Sequence, residues 1–233
     1  MERYRLGALL TAMLLVVVLL GCSPPILPLP AIPVVKGDIA EVDDAYGTCY
    51  AYVPTTVSTD PKVTVLIHGT PAKDTTAEAT AHYYVAHWRE YAEESGSILL
   101  APAFTHEDFS SRRGDHALSG YRGLFGRHIG ADHWVLRLVE AYQNLFGSKQ
   151  ERFLLYGHSA GGQFAGRFLV THPERVERAV ITAAATYPQP TVDVAWPWGM
   201  GELHTDIEWD HNTHSRADVS PDVETWLAAT QVP

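Results

Sequence analysis

Tyr156-Gly157-His158-Ser159-Ala160-Gly161-Gly162 is the stretch on which the reading of this chain turns. It follows the apolar run Phe153 to Tyr156 and precedes a helix-period segment from Ala160 to Val170, so its G-x-S-x-G pattern falls on a strand-to-helix turn. The five letters alone recur by chance in on the order of one chain in ten of this length, and it is their position that informs. Such a turn lifts the serine Oγ clear of the sheet, and it needs glycine at 157 and 161 because side chains there strike neighbouring backbone. The helix opening at Ala160 aims free N–H groups and the positive end of its dipole at the place where an attacked carbonyl would develop an oxyanion. Ser159 is therefore the candidate nucleophile and the Ala160 N–H the first candidate oxyanion donor. The segment has neither the Lys-Ser/Thr of a phosphate loop nor the spacing of a dinucleotide fingerprint.

Working outward, a second apolar run, Val63 to Ile67, ends in His68-Gly69-Thr70-Pro71. A backbone N–H just after that glycine, on Thr70, is the second candidate oxyanion donor. Further strands are expected at Thr48 to Val53, Ile98 to Ala101 and Ala179 to Ala183, and helices at Ala77 to Glu94 and Asp132 to Phe146. Short, nearly continuous apolar strands alternating with helical periods predict an α/β fold around a sheet buried on both faces. Pro102 to Gly130 and Tyr187 to Pro221 fit neither period and are expected as long loops on the functional edge.

At these residues the chain resembles the α/β-hydrolase superfamily over roughly Gly47 to Pro233. More narrowly it is similar to secreted bacterial esterases related to polyhydroxybutyrate depolymerases. The narrower likeness rests on Gly157 to Phe168, on His172-Pro173-Glu174-Arg175-Val176 and on Trp196-Pro197-Trp198-Gly199. The resemblance implies a mostly parallel sheet flanked by helices and an acyl-enzyme on Ser159, formed from small-molecule or polymeric esters and hydrolysed by water, with no metal or organic cofactor. A peptidase or acyltransferase would use the same turn.

In that fold the order along the chain is serine, acid, histidine. Val223 to Ala229 reads as a short helix and Gln231 to Pro233 as the lead into another strand. The expected body therefore lacks its C-terminal strands, together with the usual acid and histidine. Asp193 is a possible replacement acid, and His204, His211 and His214 are possible bases, with nothing to rank them; the alternative is that all are solvated loop residues. The same His204-Thr205-Asp206 and Asp210-His211-Asn212-Thr213-His214 segment has donors suited to a zinc-like ion but no zincin pattern, and no metal site is assigned. Trp196, Trp198 and Trp209 either line an acyl site or pack a cap. His158 is expected to pack under the turn, and Gln163 and Arg167 to brace local backbone.

The composition sets the outer limits. With 233 residues, 46% of them hydrophobic, one well-filled domain is expected. A net charge of −10 spread along the chain argues against a nucleic-acid partner. Arg3 and Arg5 precede the apolar run Leu6 to Leu20, which has the make-up of an export signal and is shorter than the roughly 20 residues of a spanning helix. Leu19-Leu20-Gly21-Cys22 resembles a bacterial lipobox, which implies cleavage before Cys22, acylation of its thiol by palmitate-like chains, and a place in the cell envelope facing the periplasm or exterior. Residues 1–21 are then a lipoprotein signal peptide, 22–45 a proline-rich tether and 46–233 the hydrolase domain. Cys49, the second of two cysteines, is expected as a buried thiol.

Overall fold

The structure, a computed structural model, describes residues 32–109 and 120–201. Six strands form one sheet: β1 (Ile39–Asp43), β2 (Thr48–Tyr52), β3 (Val63–Ile67), β4 (Ile98–Pro102), β5 (Phe153–His158) and β6 (Val176–Thr182). Their order across the sheet is β1-β2-β4-β3-β5-β6. β1 with β2 and β2 with β4 pair antiparallel, while β4, β3, β5 and β6 run parallel. The helices are α1 (Ala77–Ser95), a short α2 (His106–Phe109), α3 (Ala131–Leu145) and α4 (Ala160–Thr171).

The strands and long helices expected from the sequence are present, with ends displaced by a few residues. One difference is substantive. β1 lies inside the stretch 22–45 expected as tether, because Val42 turns into the core while Lys36 and Gly37 join the sheet at Val53. Among the described residues no helix is long and apolar enough to cross a membrane. The Leu6 to Leu20 run, Cys22, Trp209, His204, His211 and His214 lie outside them.

β3 and β4 are fully buried and apolar apart from Thr64 and Pro102, as strands covered on both faces must be. α1 packs on one face through Ala77, Ala81, Val85 and Ala92 against Leu66 and Leu99. α3 and α4 cover the other through Trp134, Val135, Leu138, Phe164 and Phe168. Trp134 is anchored at its polar end, where Nε1 donates to Asp44 at 3.0 Å. Cys49 is buried and free, and burial pushes its thiol far above the ordinary range, so it is inert. Thr76 caps α1 by accepting the Ala79 N–H at 3.1 Å, and Gly96 ends it in the left-handed conformation at φ 68°.

The topology positions the site. From β3 the chain crosses through α1 to β4 on one side; from β4 it crosses through α3 to β5 on the other. This reversal leaves a crevice at the carboxyl ends of β3 and β5, where open α/β sheets bind ligands. Pairing of Ile67 with Gly157 then sets the residues that follow, His68-Gly69 and His158-Ser159, side by side.

Candidate active site

Ser159 has φ 55° and ψ −114° and stands between the end of β5 and the first residue of α4. A non-glycine residue at positive φ costs on the order of 1–3 kcal/mol and persists only where the surroundings enforce it. Here they do: the Ser159 N–H donates to Thr182 O of β6 at 2.9 Å, and Ser159 O accepts the Gln163 N–H at 3.1 Å. Glycine is required on both sides. A Cβ on Gly157 would overlap the Gly161 carbonyl, and one on Gly161 would overlap the Ile67 and His68 carbonyls. The close approach of α4 to β3 that these glycines permit carries the Ser159 turn against the His68-Gly69-Thr70 loop. Gly69 itself lies there, since a Cβ on it would be 3.3 Å from Ser159 Cβ.

Ala160 is buried and opens α4, so its N–H belongs to the first turn, whose donors have no partner within the helix. Thr70 is exposed and directly follows Gly69. The fold thus brings Ser159, the first turn of α4 and the Gly69-Thr70 loop together, a serine hydroxyl beside backbone N–H groups from two loops.

The sequence does not reveal how the Thr70 loop is held. His68 is fully buried. Its Nε2 accepts the Phe104 N–H at 3.0 Å, so that nitrogen carries no proton; its Nδ1, 2.6 Å from Gly69 O, is the donor. Tyr121 donates its hydroxyl to His68 O at 3.2 Å and stacks on Phe104 with ring centroids 4.7 Å apart. The Gly69 N–H points to the Tyr84 hydroxyl at 3.4 Å, and Arg122 donates to Thr70 Oγ1. The segment expected only as a loop on the functional edge therefore contributes a short 3-10 turn, Tyr121–Gly123, that clamps the His68-Gly69-Thr70 loop. Its aromatic residues were the available signal.

Burial lowers the His68 imidazole to about 4 from an ordinary 6.5. Between those pH values the unfolded chain binds the proton and the folded chain does not, so stability is complete above about pH 6.5 and falls as pH drops towards 4. The loss amounts to about 3 kcal/mol for a shift of this size. Urea unfolding of wild type and His68→Gln across this range is expected to show a steeper acid loss in the wild type, and equal slopes would refute the assignment.

Four other expectations have outcomes. His158 does not pack under the turn: it is exposed, with Nδ1 3.1 Å from Thr182 Oγ1. Residues alternate across a strand, so with Gly157 facing α4 its neighbour points away. Arg167 is fully buried and braces backbone, donating to Gln163 O and Pro197 O at 3.0 Å each. Burial draws its guanidinium down to about 10, still charged at neutral pH. Trp196 is buried and donates to Gly123 O at 3.1 Å, which ties the late loop to the 3-10 turn, whereas Trp198 is half exposed. Asp193 is exposed and bonded within its own turn to Thr191.

This is the α/β-hydrolase fold. No protein-family model matches the chain, and no curated protein matches it. Among solved structures it is similar to poly(aspartic acid) hydrolase-1 from Sphingomonas sp. KT-1, at 25% identity and a TM-score of 0.59 over 74% of this chain and 66% of that one. It is likewise similar to a poly(3-hydroxybutyrate) depolymerase from Bordetella parapertussis, at 22% identity and a TM-score of 0.56 over 72% and 59%. A fluorophosphonate-binding serine hydrolase from Staphylococcus aureus aligns at 16% identity with a TM-score of 0.50 over 82% and 73%. The chain thus spans less than two thirds of the length of the first two.

Proposed function

We propose that this chain is a serine hydrolase of carboxylic esters acting through an acyl-enzyme on Ser159. The observation that carries the reading is the Ser159 backbone, held at φ 55° where β5 meets α4, with Gly69 packed against it. Ser159 Oγ attacks the ester carbonyl carbon and gives its proton to a base; the Ala160 and Thr70 N–H groups hold the oxyanion; the alcohol leaves with the proton, and water releases the acid. No cofactor takes part. Polymeric esters are included as substrates because two of the similar structures are, by name, hydrolases of polymers. The test is labelling of the full-length chain by a fluorophosphonate, with the modified residue located by mass spectrometry and turnover of short-chain nitrophenyl esters measured alongside.

One observation favours a second reading, a hydrolase-type body that binds a ligand without turning it over. The two histidines beside the turn are both engaged: His68 uses both ring nitrogens, and His158 is directed to Thr182. Neither is placed as the base, and His204, His211 and His214 lie outside the described residues. Under this reading the nitrophenyl esters are not turned over.

The protein is anchored in the cell envelope through an acylated Cys22, on the support of Arg3, Arg5 and the Leu19-Leu20-Gly21-Cys22 sequence. More than one acyl chain gives a stable anchor, at about 0.8 kcal/mol per buried methylene. In a bacterial host fed an alkyne fatty acid, the wild-type chain is expected to take up label and sediment with membranes, and Cys22→Ala to do neither. Equal labelling of both would refute the anchor.

A further inference from the structure

We propose that Asp132, His133 and His172 form a binding site for a divalent transition-metal ion of the Zn2+ class, remote from Ser159. One ligand atom from each lies within 4.8 Å of the others. Asp132 and His133 stand in the first turn of α3, and His172 caps the carboxyl end of α4. Ser159 caps the opposite end of α4, and twelve residues at 1.5 Å each separate the two places by about 18 Å. The ion therefore takes no part in acyl transfer; it ties the start of α3 to the end of α4.

The donor chemistry selects the ion. Two imidazoles and one carboxylate form a borderline set that zinc binds well, leaving a fourth position for water, whereas calcium and magnesium prefer all-oxygen shells. Asp132 is fully buried, and His133 and His172 are partly so, which gives the rigidity of a built site while keeping an approach from solvent.

The geometry is close to ready. Asp132 Oδ2 is 2.7 Å from His172 Nε2. Zinc bonds of about 2.0–2.2 Å set the edge of a tetrahedron at roughly 3.4 Å, so the pair opens by about 0.7 Å to admit the ion. On the other side of the ring, His172 Nδ1 lies 4.0 Å from Glu174 Oε1. When Nε2 binds the ion, the imidazole proton resides on Nδ1, and a carboxylate facing that nitrogen favours the arrangement. All three residues make additional contacts.

The test uses the full-length chain in detergent, without a polyhistidine tag and stripped of metal by chelation. Titration with Zn2+ by calorimetry is expected to give one tight equivalent, and Co2+ to give the visible d–d bands of a low-symmetry four- or five-coordinate site. A hundredfold excess of Zn2+ over Kd is expected to raise Tm by about 5 °C. His133→Gln, which leaves the Asp132–His172 bond in place, and His172→Gln are each expected to weaken binding more than tenfold and to remove the Co2+ bands. His211→Gln/His214→Gln, which alters the other histidine-rich segment, is expected to leave them intact. The proposal is overturned if no stoichiometric binding occurs, if His133→Gln binds as the wild type does, or if the His211/His214 variant is the one that loses the ion.

Discussion

Replacing Ser159 by alanine is expected to abolish ester turnover and fluorophosphonate labelling together, with the fold intact. The two interactions that hold residue 159 are made by its backbone, through the N–H to Thr182 O and the carbonyl to the Gln163 N–H, and alanine retains both. Alanine also carries a Cβ at the same positive φ, so the strain at the turn is unchanged. What disappears is the Oγ. In serine hydrolases loss of the nucleophile lowers turnover by on the order of 10^6, leaving the residual effect of binding and the oxyanion donors, so the variant is expected at the assay floor. Wild-type and variant melting curves should coincide. Absence of both labelling and turnover in the wild type would move the balance to the ligand-binding reading. Turnover that survives in Ser159→Ala would end the Ser159 proposal.

The second large effect is on stability, at Gly161. A Cβ there overlaps two backbone carbonyls, those of Ile67 and His68, and backbone at the end of a buried strand cannot swing aside as a side chain can. Overpacking usually costs 1–3 kcal/mol, and a collision with β3 backbone on the face that α4 packs against should reach about 3 kcal/mol or more. For a domain of this size that lowers Tm by roughly 6–12 °C. The comparison is Gly166→Ala, one and a half turns further along α4, where a Cβ meets only Tyr187 and Ile181 side chains at 3.4 Å or beyond. That variant is expected to be neutral or to gain up to about 1 kcal/mol from helix propensity. Thermal unfolding of the pair separates the two explanations: equal effects would mean that Gly161 matters only as a weak helix former.

How the two loops meet explains why so much rests on one glycine. α4 presses against the end of β3 only because Gly161 has no side chain. That contact holds Ser159 beside Gly69, and the His68, Tyr121 and Arg122 interactions fix the far side of the same gap. A shift of α4 would open the distance between Ser159 and the Gly69-Thr70 loop, so under the proposed mechanism Gly161→Ala is expected to lose activity beyond its loss of stability.

The sequence by itself determined the elements with strong pattern: the buried runs of β3 and β4, the apolar stretches within β5 and β6, the amphipathic α3 and the Gly157-to-Gly161 turn, where local sterics leave few alternatives. It also named Ser159, Ala160 and Thr70 as candidates, and the fold sets the Ser159 turn beside the Gly69-Thr70 loop. It did not disclose β1, whose single buried residue, Val42, gives too little pattern against Asp43 and Asp44 and the prolines before them. Only the tertiary structure decided the Ile67–Gly157 register that sets the two loops together, the tautomer of His68, and the use of the Tyr121–Gly123 turn as their clamp. It also decided the meeting of Asp132, His133 and His172, which come from two helices forty residues apart along the chain. Periodicity records which face of an element is buried. It carries no record of which distant residue lies opposite, because packing settles that only once the whole sheet has formed.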